Sequence, residues 1–214
     1  MKKQQGFTLI EIAIVLVIIG LLLGGILKGQ ELITQGKIKN VISDINGTQA
    51  AYYGYQDRYR QLPGDDNLAT SRWTSAAGNG NNNGVIEGEY NSGTATHESR
   101  LFWDHLRLAA FISGTGTEQP RNAAGGIVGV QTGDGDGGPG PGGISSLLLC
   151  TSALPDKIAI AVDSQLDDGN PALGQVRAVL QSGPGNPAMS SAVTLASPTY
   201  QDTGSNLYTL CRTL

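Results

Sequence analysis

From Phe7 to Leu27 the chain reads FTLIEIAIVLVIIGLLLGGIL, 21 residues in which Thr8 and Glu11 are the only polar side chains. A helix of that length crosses about 30 Å of hydrocarbon, so the segment belongs in a membrane or in an equally apolar assembly. A secretory signal peptide fits poorly, because its apolar core is usually about 7–15 residues and is followed by a small-residue cleavage site. Here the run is longer and passes into Leu27-Lys28-Gly29 with no Ala-x-Ala-like site. Lys2 and Lys3 precede it, and the positive-inside rule keeps them in the cytoplasm, which puts the chain beyond the span on the outer side.

A plain membrane anchor does not account for Glu11. A carboxylate at the centre of a span costs about 2.5–3.5 kcal/mol on insertion scales and is rare without a partner. No basic residue lies within the run. The partner must come from another chain or from a new chain terminus.

The string Lys2-Lys3-Gln4-Gln5-Gly6-Phe7-Thr8-Leu9-Ile10-Glu11 resembles the N-terminus of type IV prepilins and type II secretion pseudopilins. The resemblance implies cleavage after Gly6 by a prepilin peptidase on the cytoplasmic side, and methylation of the new terminal amine on Phe7. It also implies that Glu11 pairs with the terminal amine of a neighbouring subunit during assembly. The implied partners are the peptidase, the inner membrane before assembly, and copies of this chain with other pilin-like subunits in a helical filament at the cell surface. Many major pilins carry a proline near the inner end of this helix, whereas this chain has none before Pro63. That departure keeps a minor pilin and a pseudopilin open.

Beyond the span, Ile38, Val41, Ile45, Thr48, Tyr52, Tyr55 and Tyr59 recur at spacings of three and four, the signature of one helix face. The predicted helix runs from Phe7 to Tyr59, about 80 Å at 1.5 Å per residue, with Pro63 as its stop. The tyrosines are expected to pack on a sheet. Leu62 to Tyr90 reads as a polar loop. Within it Asn79, Asn81, Asn83, Gly84 and Ile86 imitate the ligand spacing of a calcium loop, but the ligand positions are amides and Tyr90 stands where a closing glutamate belongs. Glycine–asparagine turns are the favoured reading. No cofactor is expected, and Asn79, Asn81 and Asn83 remain the weak calcium candidates.

A second helix is predicted over His97 to Ile112, stopped by Gly114. His97 and His105 are the only histidines, and no nucleophile or metal-ligand motif accompanies them, so both read as packing residues. Gly125 to Gly143 holds ten glycines in nineteen residues and reads as a flexible or coiled loop, with Asp134 and Asp136 solvated. Strands are predicted at Ile144–Cys150, Gln175–Gln181 and Asn206–Leu214. Over Asp156 to Leu166, Ile158, Ile160 and Val162 alternate as in a strand, whereas Ile158, Val162 and Leu166 keep helical spacing after Pro155. The segment reads as a short helix closed by Asp167-Asp168-Gly169.

The two cysteines, Cys150 and Cys211, lie in no CxxC or Cys/His cluster, which argues against zinc. An even, separated pair outside the cytoplasm suits a disulfide. Many type IV pilins staple their C-terminal region in this way, whereas major pseudopilins often use calcium, so the pair favours the pilin side. The formal charge is −4, and about −6 once residues 1–6 are removed with Lys2 and Lys3 (12 basic against 18 acidic). That balance excludes broad binding to a phosphate backbone, so nucleic acid is not an expected partner.

The expected fold is α+β: a long N-terminal helix whose second half packs on a small antiparallel sheet. Residues 1–6 form a cleaved leader, 7–28 the membrane and filament-core helix, 29–61 its amphipathic half, and 62–214 a loop-rich globular region. The expected function is structural, not enzymatic: a subunit of a type IV pilus-like filament. The alternatives are a type II secretion pseudopilin and a membrane-anchored domain that binds calcium or glycan.

Overall fold

The computed structural model describes residues 8–189 and 199–214. Gly6 and Phe7, with the basic head, lie outside the described residues. The chain divides into two compact units, Met1–Lys37 and Ile38–Leu214. One helix, α1 (Leu9–Tyr59), contributes to both. In the first unit its apolar side chains are exposed, Leu9, Leu16, Leu21 and Leu27 among them.

In the second unit the face predicted from spacing is the buried one: Ile38, Val41, Ile45, Thr48, Tyr52 and Tyr55, with Ala51 beside them and Tyr59 half-buried. Helix α1 stops at Tyr59, four residues short of Pro63, because Arg60 turns into the left-handed region at φ 56°. A short helix, α2 (Ala69–Arg72), interrupts the segment expected to be all loop. Next comes α3 (Glu98–Leu108), which ends where Ala110 adopts φ 61° rather than running on to Ile112 and Gly114.

The remaining strands and α-helix are β1 (Val128–Thr132), β2 (Leu147–Pro155), α4 (Asp156–Leu166), β3 (Val176–Leu180) and β4 (Leu207–Thr213), with a 3-10 turn at Pro141–Gly143 before β2. Strand β1 lies inside the glycine-rich stretch that reads as a loop. Its five residues are all buried, and Gly129 is required there because a Cβ would stand 2.1 Å from the Tyr90 carbonyl oxygen. The four strands form one antiparallel sheet in the order β1-β2-β4-β3. Strand β2 starts three residues later than the sequence suggests and continues to Pro155, with an irregularity between Thr151 and Leu154 where Ala153 takes φ 54°.

Alternation along the strands sorts the side chains into two layers. Val128, Val130, Leu149, Val176, Ala178, Tyr208 and Leu210 join the main core with Ile38, Val41 and Ile45 of α1 and Ile158, Ala159 and Val162 of α4. Leu148, Cys150, Val179 and Cys211 face the other way, under Tyr90 and Met189. The tyrosines of α1 find other aromatic residues rather than the sheet. Tyr52 stacks with Phe102, Tyr55 is ringed by Trp73, His105 and Phe111, and Tyr59 meets Trp73 edge-on at 5.3 Å.

Helix α3 is buried almost all round, from Glu98 to Leu106, although five of those nine residues are polar. Loops supply the partners that make this tolerable. The Arg100 guanidinium donates to the carbonyls of Thr117 (2.7 Å) and Ser92 (2.9 Å) and to Glu118 (2.6 Å), and Asp104 accepts the Ala77 N–H at 2.8 Å.

Candidate functional site

The apolar start of α1 carries the strongest functional signal, and its geometry centres on Glu11. The Glu11 carboxylate accepts the Thr8 backbone N–H at 2.8 Å and the Thr8 hydroxyl at 2.7 Å, while the Glu11 N–H lies 3.4 Å from Thr8 Oγ1. This is a capping box, in which the N-cap hydroxyl and the third helical carboxylate satisfy each other's orphan N–H groups. Glu11 therefore starts the helix as well as charging it. The Thr8-x-x-Glu11 spacing carries this signal in the sequence, but a reading of Glu11 as a charge alone passes over Thr8. The polar boundary beyond the apolar run is marked by the exposed Lys28–Glu31 ion pair at 2.8 Å.

The segment from Leu62 to Glu98 is built around buried carboxylates. Asp65 accepts the N–H groups of Asn83 (3.2 Å) and Gly84 (2.8 Å), and Glu98 accepts those of Asn81 (2.9 Å) and Glu87 (3.1 Å). Asp66 accepts the Tyr55 hydroxyl at 2.6 Å, the Leu68 N–H at 2.8 Å, and a guanidinium N–H of Arg72. Burial pushes the Asp66 carboxyl up, but the donors Tyr55, Leu68 and Arg72 outweigh it and hold it below the ordinary carboxylate value. Burial, and then the hydrogen bond to Asp66, raise the Tyr55 hydroxyl far above its ordinary range.

The calcium candidates take part in this arrangement with their oxygens already engaged. Asn79 Oδ1 accepts the Thr70 N–H, Asn81 Oδ1 that of Asn83, and Asn83 Oδ1 that of Val85. The side-chain amides of Asn81 and Asn83 both donate to Glu87. A cation loop turns oxygens inward. This loop turns N–H groups inward onto carboxylates, the opposite polarity.

His105 is fully buried: Nδ1 accepts the Gly64 N–H at 3.0 Å, and Nε2 donates to the Gly78 carbonyl at 3.1 Å. Burial lowers its pKa, which favours the neutral ring that both bonds need. It braces two loops. His97 is exposed and bonds through Nδ1 to Ser92 Oγ. Asp134 accepts the N–H groups of Asp136 and Gly138 and so closes a turn.

Cys150 and Cys211 are joined, and they stand directly opposite each other on the two central strands. Three aspartates at the end of α4, Asp163, Asp167 and Asp168, have carboxylate oxygens within 4.8 Å of one another.

The sequence model of the prokaryotic N-terminal methylation motif matches residues 1–27. No curated protein sequence matches the chain. Among solved structures, the major type IV pilin PilA1 from Clostridium difficile is 12% identical, with 85% of this chain and 96% of that one covered and a TM-score of 0.43. The chain thus carries the prokaryotic N-terminal methylation motif at the head of an apolar helix, followed in sequence by an α+β domain on a four-stranded antiparallel sheet.

Proposed function

We propose that the chain is a structural subunit of a type IV pilus-like filament, made as an inner-membrane precursor and carried to the cell surface by assembly. The observation that carries the reading is the methylation motif on residues 1–27 leading into a span of exposed apolar side chains with a single carboxylate. A prepilin peptidase would cut between Gly6 and Phe7 and methylate the Phe7 amine. The apolar stretches of many subunits would then pack together and stay out of water, which supplies the dominant favourable term.

Glu11 gives that packing a register. Apolar helices alone slide past one another, whereas a carboxylate paired with the Phe7 amine of a neighbour fixes one axial offset. Before assembly the capping hydrogen bonds from Thr8 satisfy part of the carboxylate's demand. The role is structural rather than catalytic, and both histidines are accounted for by local hydrogen bonds. The Cys150–Cys211 bridge supports a pilin over a pseudopilin.

The test is the ratio of sheared filament protein to membrane-held protein. Glu11→Ala and Glu11→Gln are expected to leave a folded, membrane-inserted subunit that enters filaments poorly. Glu11→Gln retains the shape of the cap and loses only the charge. Wild-type ratios for both would remove Glu11 from assembly.

A further inference from the structure

A second polar feature lies in the globular unit, at the C-terminal end of α4, where three carboxylates converge with no cation among the described residues to balance them. None of the four ion pairs among those residues involves Asp163, Asp167 or Asp168. Clustering alone says little, because acidic side chains often gather on a solvated surface. Asp163 is different, since it is fully buried. Its Oδ2 accepts the Tyr200 hydroxyl at 2.6 Å, while its Oδ1 is closed off from solvent and has no hydrogen-bond donor among the described residues. The Gly169 N–H lies near this carboxylate without meeting hydrogen-bond geometry. A buried carboxylate oxygen with nothing to bind is costly and calls for a partner.

We propose that Asp163, Asp167 and Asp168 form a site for one divalent cation of calcium's size. Carboxylate oxygens are the hard donors such an ion takes. The three ligand oxygens lie within 4.8 Å of one another, close enough to share one ion. Magnesium is usually held by one or two carboxylates and several waters, so three protein carboxylates favour calcium. Asp167 is already oriented, because its Oδ2 accepts the N–H groups of Gln175 and Val176 at the start of β3. Asp168 is held by the Asn170 N–H on Oδ1 and faces solvent, which leaves water to complete the coordination shell. The ion would clamp the end of α4 to the entry of β3. Through Tyr200 it would also hold the segment leading into β4.

The site is independent of the filament reading, and its test uses no filament. Full-length protein in detergent micelles at pH 7.5, stripped with EDTA, is dialysed against radioactive calcium and melted with and without calcium. The expected result is one calcium per chain and a melting temperature raised by roughly 5 °C or more at about a hundredfold excess over Kd. Magnesium at the same concentration is expected to give a much smaller rise. Asp168→Asn keeps the Oδ1 hydrogen bond and removes only an exposed charge, so it should fold normally and bind calcium at least tenfold more weakly. Asp163→Asn should abolish the calcium-dependent rise. The proposal is overturned by no binding to the wild type, by equal affinity in wild type and Asp168→Asn, or by a magnesium response equal to that of calcium. Any of these results would leave a proton as the partner of Asp163.

Discussion

Removing the Cys150–Cys211 bridge gives the most quantitative test of the globular fold. Both cysteines are 0% exposed and pair directly across β2 and β4, the two inner strands of the sheet. The bond closes a loop with a sequence separation of 61. For that length, the loss of unfolded-state entropy amounts to about 4 kcal/mol. The double variant Cys150→Ala/Cys211→Ala should therefore lower the melting temperature by roughly 8–16 °C, at 2–4 °C per kcal/mol for a domain of this size. The native sheet should survive, because Leu148, Val179, Met189 and Tyr90 still bury the same layer. The assay is thermal and urea unfolding of the full chain in micelles, followed by the near-ultraviolet signal of Trp73 and Trp103. The unfolded state of the variant is less constrained, so its urea m-value should rise. A loss of less than about 3 °C with an unchanged m-value would refute the argument that the bridge acts by restricting the unfolded chain.

Asp66 supplies a pH signature. Its folded pKa lies below the ordinary 3.8, so its contribution is complete at neutral pH and is lost as the pH falls below about 4 through the folded value. Asp66→Asn should cost about 3 kcal/mol at pH 7, because Arg72 and Tyr55 lose a buried anion, and it should flatten this part of the acid-unfolding curve. Acid titration of unfolding in both proteins checks the sign. A Cβ on Gly80 would stand 2.2 Å from Asp65 Cα, a backbone atom with no freedom to yield, so Gly80→Ala should destabilise by about 2 kcal/mol in urea.

The sequence was most legible where one period ran long. The face from Ile38 to Tyr55 in α1, and α4 over Asp156–Leu166, emerge as the spacing predicts, as do the strand positions around Cys150, Val176 and Cys211. Strand β1 was hidden because both of its faces are buried and Gly129 is demanded by a neighbouring carbonyl, so composition pointed to a loop. The partners of the tyrosines were also hidden, because aromatic contacts between α1, α3 and Trp73 join segments distant in sequence. The ends of α1 and α3 were set by left-handed Arg60 and Ala110, residue types that carry no such signal. Of the candidate site, the Glu11 anomaly was legible and its Thr8 cap was readable in principle. The buried carboxylates of Asp65, Asp66, Glu98 and Asp163 were not, since burial of an acidic residue is decided by tertiary contacts.

The most direct test of the filament proposal is the mass of the N-terminal peptide of the protein recovered from sheared surface filaments. The account predicts a chain that begins at Phe7 with a methylated amine, obtained from a filament fraction that disappears when the gene is deleted. Filaments whose subunits retain Met1, or cells in which the protein stays wholly in the membrane while filaments form without it, would contradict that account.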